Sequence, residues 1–251
     1  MKRILLIILK NILRLPYIWS GLCYYARRTE KYPEEHIYAF IRKIPGFIVK
    51  SGRVDLRIYG TEKIPKDSGF ILFPNHQGLF DIVAVAEACP MPLSVVYKKE
   101  LKNIPLLKQI FACVKGVWLD RSDVRQSLEA ISKVAEEVRS GRRYVIFAEG
   151  TRSRSGNQLL DFKGGSFKSA VKAKCPIVPA ALIDSYKVFD AGSAARTSVQ
   201  VHFLDALLYE DYAGMSTSQI GELVKAAIEK AIAENSPEMK EQECRTETDP
   251  V

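Results

Sequence analysis

The first residues to suggest chemistry are a histidine and an aspartate five positions apart. The stretch Phe73–Asp81 reads FPNHQGLFD, and His76 is one of three histidines in the 251-residue chain. An imidazole takes up a proton near neutral pH. A carboxylate bonded to one ring nitrogen fixes the tautomer and leaves the other nitrogen as a base. The offset alone does not make the pair: on a continuous helix five residues turn about 140°, and the side chains would diverge. With His76 in a loop and Asp81 in the first turn of a helix, the chain can fold them together, and Gly78 permits such a turn. An unrelated loop histidine beside a helix-capping aspartate satisfies the same spacing.

Two more stretches add charge at comparable places. GVWLDR puts Arg121 after a short apolar run, and FAEGTRSRSG puts Glu149, Gly150, Thr151 and Arg152 after another. Glycine lets backbone approach a ligand, and arginine offers paired donors that match phosphate oxygens. Lys98 and Lys99 in KKELKNIP either add positive charge or stand solvated. Taken singly, Asp120–Arg121 fits a surface ion pair and EGTR fits a turn. Taken with NHQGLFD, they outline a base, an orienting acid and a phosphate clamp.

Such a set needs loops that gather on one edge of a sheet, as they do at strand ends in a largely parallel sheet. The sequence supplies the strands. Short β-branched runs occur at 54–59, 70–73, 93–97, 117–119, 144–148, 177–183 and 199–204, alternating with helical stretches. The clearest helix covers 122–140, with Leu128, Ile131, Ala135 and Val138 at helical spacing and Gly141 as a stop. Further helices fit 218–233, 104–114 and 82–88. The expectation is one α/β domain over residues 51–235, with a mostly parallel or mixed sheet of about seven strands flanked by helices. A polar, disordered tail follows over 236–251. GxGxxG, GxxxxGK and GxSxG are all absent, which argues against the common nucleotide folds and the α/β-hydrolase elbow.

Net charge is +8, and it is concentrated early: residues 1–50 carry ten Lys/Arg against three Asp/Glu. The same region holds apolar runs such as ILLIIL and HIYAFI. That mixture favours an anionic membrane surface over nucleic acid. Lys10, Asn11, Arg14 and Pro16 break any run long enough to span a bilayer. At 100° per residue Arg3, Lys10 and Arg14 fall within about 40° of one another. Residues 1–50 therefore read as amphipathic helices lying in the membrane interface, basic side toward the headgroups; a helix packed on the protein's own core is the other reading. The five cysteines form no CxxC or Cys/His spacing, so neither a disulfide framework nor a metal site is expected. His36 and His202 have no Asp box around them and read as structural or surface histidines.

The ordered boxes NHQGLFD, GVWLDR, FAEGTRS and IVPAAL resemble those of the PlsC family, the 1-acylglycerol-3-phosphate acyltransferases among the glycerolipid acyltransferases. KKELKNIP matches a stretch between the first two boxes, FKGGSFKSA resembles another more loosely, and the likeness covers roughly residues 50–210. One departure is Ala148, where the third box usually has proline. The resemblance implies transfer of an acyl group from acyl-CoA or acyl-carrier protein to the free hydroxyl of a lysophospholipid acceptor, 1-acylglycerol-3-phosphate, forming phosphatidic acid. His76 would be the general base and Asp81 its orienting acid. Arg121, Glu149, Gly150, Thr151 and Arg152 would bind the acceptor, with Lys98 adding charge. No cofactor and no metal are implied. The setting would be peripheral or monotopic on the cytoplasmic face of the cell membrane. Rivals are the same chemistry on glycerol-3-phosphate or another lysophospholipid, a non-catalytic anionic-lipid-binding protein, and a thioester hydrolase.

Overall fold

The computed structural model describes residues 2–236; the tail expected over 236–251 lies outside the described residues, except for Ser236. Four helices come first: α1 (Lys2–Asn11), α2 (Leu15–Ala26), α3 (Glu34–Ile41) and α4 (Lys43–Ser51). Then come β1 (Val54–Tyr59), β2 (Ile71–Pro74), α5 (Asp81–Ala88), β3 (Ser94–Lys98), α6 (Leu107–Cys113), β4 (Val117–Leu119) and α7 (Val124–Arg139). The chain closes with β5 (Tyr144–Val145), α8 (Lys168–Ala173), β6 (Ile177–Ile183), α9 (Tyr186–Phe189), β7 (Thr197–Phe203), α10 (Tyr209–Tyr212) and α11 (Thr217–Asn235).

The seven strands form one mixed sheet in the order β1-β7-β6-β2-β5-β3-β4. β6, β2, β5, β3 and β4 run parallel, while β7 pairs antiparallel with β6 and carries β1 parallel to itself. Central strands covered on both faces read as continuous apolar runs, and β2 and β6 are buried throughout. Their side chains alternate between two cores. Ile71, Phe73, Ile177, Ala181 and Ile183 pack against α7, α8 and α11. Leu72, Val178, Ala180 and Leu182 pack against α5 and Tyr38 of α3. A third cluster joins α2, α3 and α6 to Val95 of β3.

Helix ends follow local chemistry. The Asp123 side chain accepts from Gln126 N–H at 3.0 Å and caps α7; Ser216 and Gln219 form a reciprocal capping box on α11. The buried seam of α7 is Ala130, Val134, Ala135 and Val138; Leu128, expected on it, stands exposed. The strand expected over 144–148 pairs only at Tyr144 and Val145. Ile146 N–H still donates to Leu72 O at 2.9 Å, after which a turn closes from Gly150 N–H to Phe147 O. Residues 146–150 thus leave the ladder to build a loop.

The N-terminal stripe is split: Arg3 is turned onto the protein, while Lys10 and Arg14 stay exposed. Arg3 is 2% exposed. It donates to the carbonyls of Gly52, Ser193 and Ala195 and to Thr197 Oγ1. Lys10 reaches Ser51 O at 3.4 Å, and the Arg14 guanidinium lies 5.0 Å over the Phe47 ring. Arg3 thus ties α1 to Gly52 and to the loop around residues 193–197. Beside the exposed Lys10 and Arg14, a row of apolar side chains faces outward: Ile4, Leu5, Ile8, Leu9, Ile12 and, at the bend before α2, Leu13, which is 92% exposed. No single described helix is long and apolar enough to cross a membrane; α1 and α2 reach that length only together, bent by 85°.

Candidate active site

Five parallel strands send their C-terminal ends to one edge of the sheet, the place where open α/β sheets bind ligands. His76 follows β2, Lys98 ends β3, Arg121 follows β4 and Glu149–Arg152 follow β5. β5 lies beside β2, so the EGTR loop and the histidine loop are neighbours. Ser153 N–H donates to His76 O at 2.8 Å and joins the two.

The helix begins at Asp81, so residues 76–80 are free to turn back. His76 Nδ1 lies 2.7 Å from Asp81 Oδ2. The same oxygen accepts from the N–H groups of Gln77 at 2.6 Å and Gly78 at 2.9 Å, and the other faces the Ser185 hydroxyl. Asp81 is fully buried. A buried carboxylate tolerates this only with several donors, each bond to a charged group contributing about 1.5–3 kcal/mol. Asp81 makes no cap bond to the helix it starts; its carboxylate turns back to the loop and meets both the His76 ring and the backbone of the turn. With Nδ1–H committed to Asp81, Nε2 is the basic nitrogen, in a ring whose side chain is 23% exposed. The ring stacks on Phe147, centroids 4.2 Å apart. Gly78 is needed for a different reason from the one its turn suggested. Its φ is not positive, but a Cβ there would lie 2.7 Å from Asp190 Oδ2 and 3.2 Å from Tyr186 Cα, so the glycine lets α9 close over the loop.

Glu149 is buried; Oε1 accepts from His76 N–H at 2.6 Å and Oε2 from Leu160 N–H at 2.9 Å. Its carboxylate therefore braces the backbone of the histidine loop. Burial raises its pKa, opposed by those two backbone donors. Gly150 has a φ of +73°, and a Cβ on it would come 2.6 Å from Arg121 Nη2. Arg121 Nη1 donates to Gly150 O at 2.7 Å, which pins the exposed guanidinium across the loop.

Thr151 is exposed and Arg152 half-buried on that loop, and Lys98 is exposed beside Leu119 of β4. Lys99 is bound elsewhere: its ammonium lies 2.7 Å from Asp120. The ammonium and the Ser122 donors hold Asp120 down to about 2. The structure adds residues the sequence reading did not single out. The Asn75 side chain exchanges two hydrogen bonds with the backbone of Leu182, and Gln77 bridges Leu182 O and Asn157. Asn75 and Gln77 flank His76, which was a usable signal; Phe147 and Ser185 gave none. Among the described residues, no three His, Cys, Asp or Glu side chains converge as metal ligands.

Comparisons with known proteins agree with this architecture. The acyltransferase family model matches residues 55–183. A 1-acyl-sn-glycerol-3-phosphate acyltransferase of Salmonella typhimurium is 28% identical over 228 residues, 89% of each chain. One of Saccharomyces cerevisiae is 32% identical over 148 residues, 55% of this chain and 48% of that protein's length. The crystal structure of the LPA acyltransferase PlsC from Thermotoga maritima superposes with a TM-score of 0.76 at 21% identity, covering 94% of this chain and 98% of that one. It has the same fold. The motif order read from the sequence, the matching domain and the shared architecture lead to one conclusion: this chain belongs to the acyltransferase family.

Proposed function

We propose that the chain transfers an acyl group from a thioester, acyl-CoA or acyl-carrier protein, to the hydroxyl of 1-acylglycerol-3-phosphate, giving phosphatidic acid. The observation that carries this reading is the buried Asp81 holding His76 Nδ1 at 2.7 Å on the sheet edge that also bears Arg121 and Arg152. Relatives named for this reaction support the acceptor.

In this mechanism His76 Nε2 removes the acceptor's hydroxyl proton as the oxygen attacks the thioester carbonyl. The C–O bond forms, the C–S bond breaks, and the imidazolium returns its proton to the departing thiolate. Asp81 steadies the imidazolium. Arg121, Arg152 and Lys98 hold the phosphate, turning binding energy into orientation. A thioester is already activated, so no covalent acyl-enzyme is required. General-base help of this kind is worth ~10²–10⁴ in rate.

The outward apolar face of α1 and α2 supports a peripheral or monotopic setting, sunk into the interface beside a lipid acceptor. α1 packs on α4 and α9, and α9 borders the histidine loop, so the apolar face and the site share a flank. Four cysteines free of disulfides favour the cytoplasmic side. Acyl transfer to 1-acylglycerol-3-phosphate in micelles, by the intact chain and by His76→Ala, tests the chemistry: equal rates would remove the base assignment. Sedimentation with anionic vesicles tests the setting. Leu9→Glu with Leu13→Glu should release the protein, and unchanged binding would refute it.

A further inference from the structure

The two oxygens of Asp81 are held differently. Oδ2 takes His76 Nδ1–H and two backbone N–H groups. Oδ1 faces one partner, the hydroxyl of Ser185, a fully buried residue just past the end of β6. Gln77 fixes that serine. Its Nε2 donates to Leu182 O at 2.9 Å and to Asn157 Oδ1 at 2.8 Å, so Oε1 is the acceptor turned toward Ser185. Ser185 N–H donates to that oxygen at 3.0 Å, and the hydroxyl lies 3.0 Å from it. Asn157 is held in turn by Asp184, accepting from its N–H at 2.9 Å and donating to its Oδ1 at 3.0 Å. The serine hydroxyl has one proton and two acceptors in reach. A carboxylate is the stronger acceptor, and Oε1 already has the serine N–H.

We propose that Ser185 is a positioning residue of the His76–Asp81 pair, donating its hydroxyl proton to Asp81 Oδ1. This rests on the reading of His76 as the base. The donor draws carboxylate charge away from Oδ2 and prevents rotation of the group. Without it, Oδ1 is buried and unpaired, and Oδ2 holds the imidazolium proton more tightly. The free base then appears only at higher pH, and the ring is less firmly aimed.

The test uses the full chain in micelles, comparing wild type, Ser185→Ala, Ser185→Cys and His76→Ala in acyl transfer between about pH 5 and 9. Imidazole titrations by NMR are read alongside; with only three histidines in the chain, His36 and His202 serve as internal references. Ser185→Ala should lower kcat about tenfold or more, leave KM within about twofold, and move the acid limb of the rate profile to higher pH. The His76 titration should move the same way while the references stay still. Ser185→Cys, similar in shape with a weaker donor, should fall between, and it decides the matter if the alanine variant does not fold. A variant with unchanged kcat and acid limb overturns the proposal. So does a loss of kcat with neither profile nor titration displaced, because a purely structural serine would behave that way. Activity retained by His76→Ala would overturn the base reading instead, and the NMR shift alone would then judge Ser185.

Discussion

Arg3 and Asp81 are both buried, at opposite ends of this molecule's logic. Arg3, on the N-terminal helix, donates to three backbone carbonyls and a threonine hydroxyl at 2.6–3.2 Å. Asp81, at the sheet edge, accepts from two backbone N–H groups, a serine hydroxyl and an imidazole. Both obey the rule that a buried charge must be surrounded by partners. The difference lies in what those partners can do. Every partner of Arg3 is fixed and neutral, so its charge ties α1 to the loop around residues 193–197 and nothing is left over. One partner of Asp81 is an imidazole with a second ring nitrogen, in a side chain that is 23% exposed. The same solution to burial gives a staple in one place and a reactive pair in the other.

The sharpest way to break this comparison is to neutralise each charge at nearly constant shape. Asp81→Asn keeps the volume but removes the charge that steadies the imidazolium, and its amide nitrogen must face an N–H or the serine hydroxyl. Turnover in micelles should fall on the order of 10³-fold, with the protein still folded by circular dichroism. A variant keeping more than a tenth of the wild-type rate would mean that the aspartate only holds the turn.

Arg3→Met should do the opposite. It removes four hydrogen bonds and leaves the buried Gly52 carbonyl without its donor, at a cost of about 1–3 kcal/mol in unfolding free energy, measured by denaturant titration. Turnover of the folded fraction in micelles should stay within about threefold. A drop rivalling that of Asp81→Asn would erase the distinction between staple and reactive pair.

The sequence reveals these two regions unequally, for physical reasons. The central strands were legible because doubly covered strands must be apolar and β-branched, and α7 because its apolar spacing runs to Gly141. The basic stripe on α1 was legible as a stripe but not as a direction: periodicity gives the angle between side chains, not which side meets the protein. His76 and Asp81 could be paired because only a short loop separates them. Ser185 reaches the Asp81 carboxylate from 104 residues further along the chain, and Phe147 reaches the His76 ring from 71; only the strand order brings them there. The two backbone amides that Glu149 meets were not legible either, because a carboxylate in a glycine loop looks the same in sequence whatever it faces.

Glu149 supplies the smallest and most discriminating test, since it combines features of both cases: its partners are fixed and neutral, yet one is the backbone of His76. Burial raises its folded pKa above the ordinary 4.5 despite the two N–H donors. For an acid raised in this way, the stabilising contribution is present in full below about pH 4.5 and is lost as pH rises through the folded value. Each unit of difference between folded and unfolded values corresponds to about 1.4 kcal/mol. Glu149→Gln removes that dependence. Thermal unfolding followed upward from pH 4 should show the wild type losing ground to the glutamine variant as the carboxylate ionises. At neutral pH the variant's turnover should fall less than about tenfold, because Glu149 acts on the ring only through the backbone. If the wild type instead gained on the variant with rising pH, the two N–H donors would outweigh burial. Glu149 would then stand with Asp81, as an anion the fold is built to keep charged.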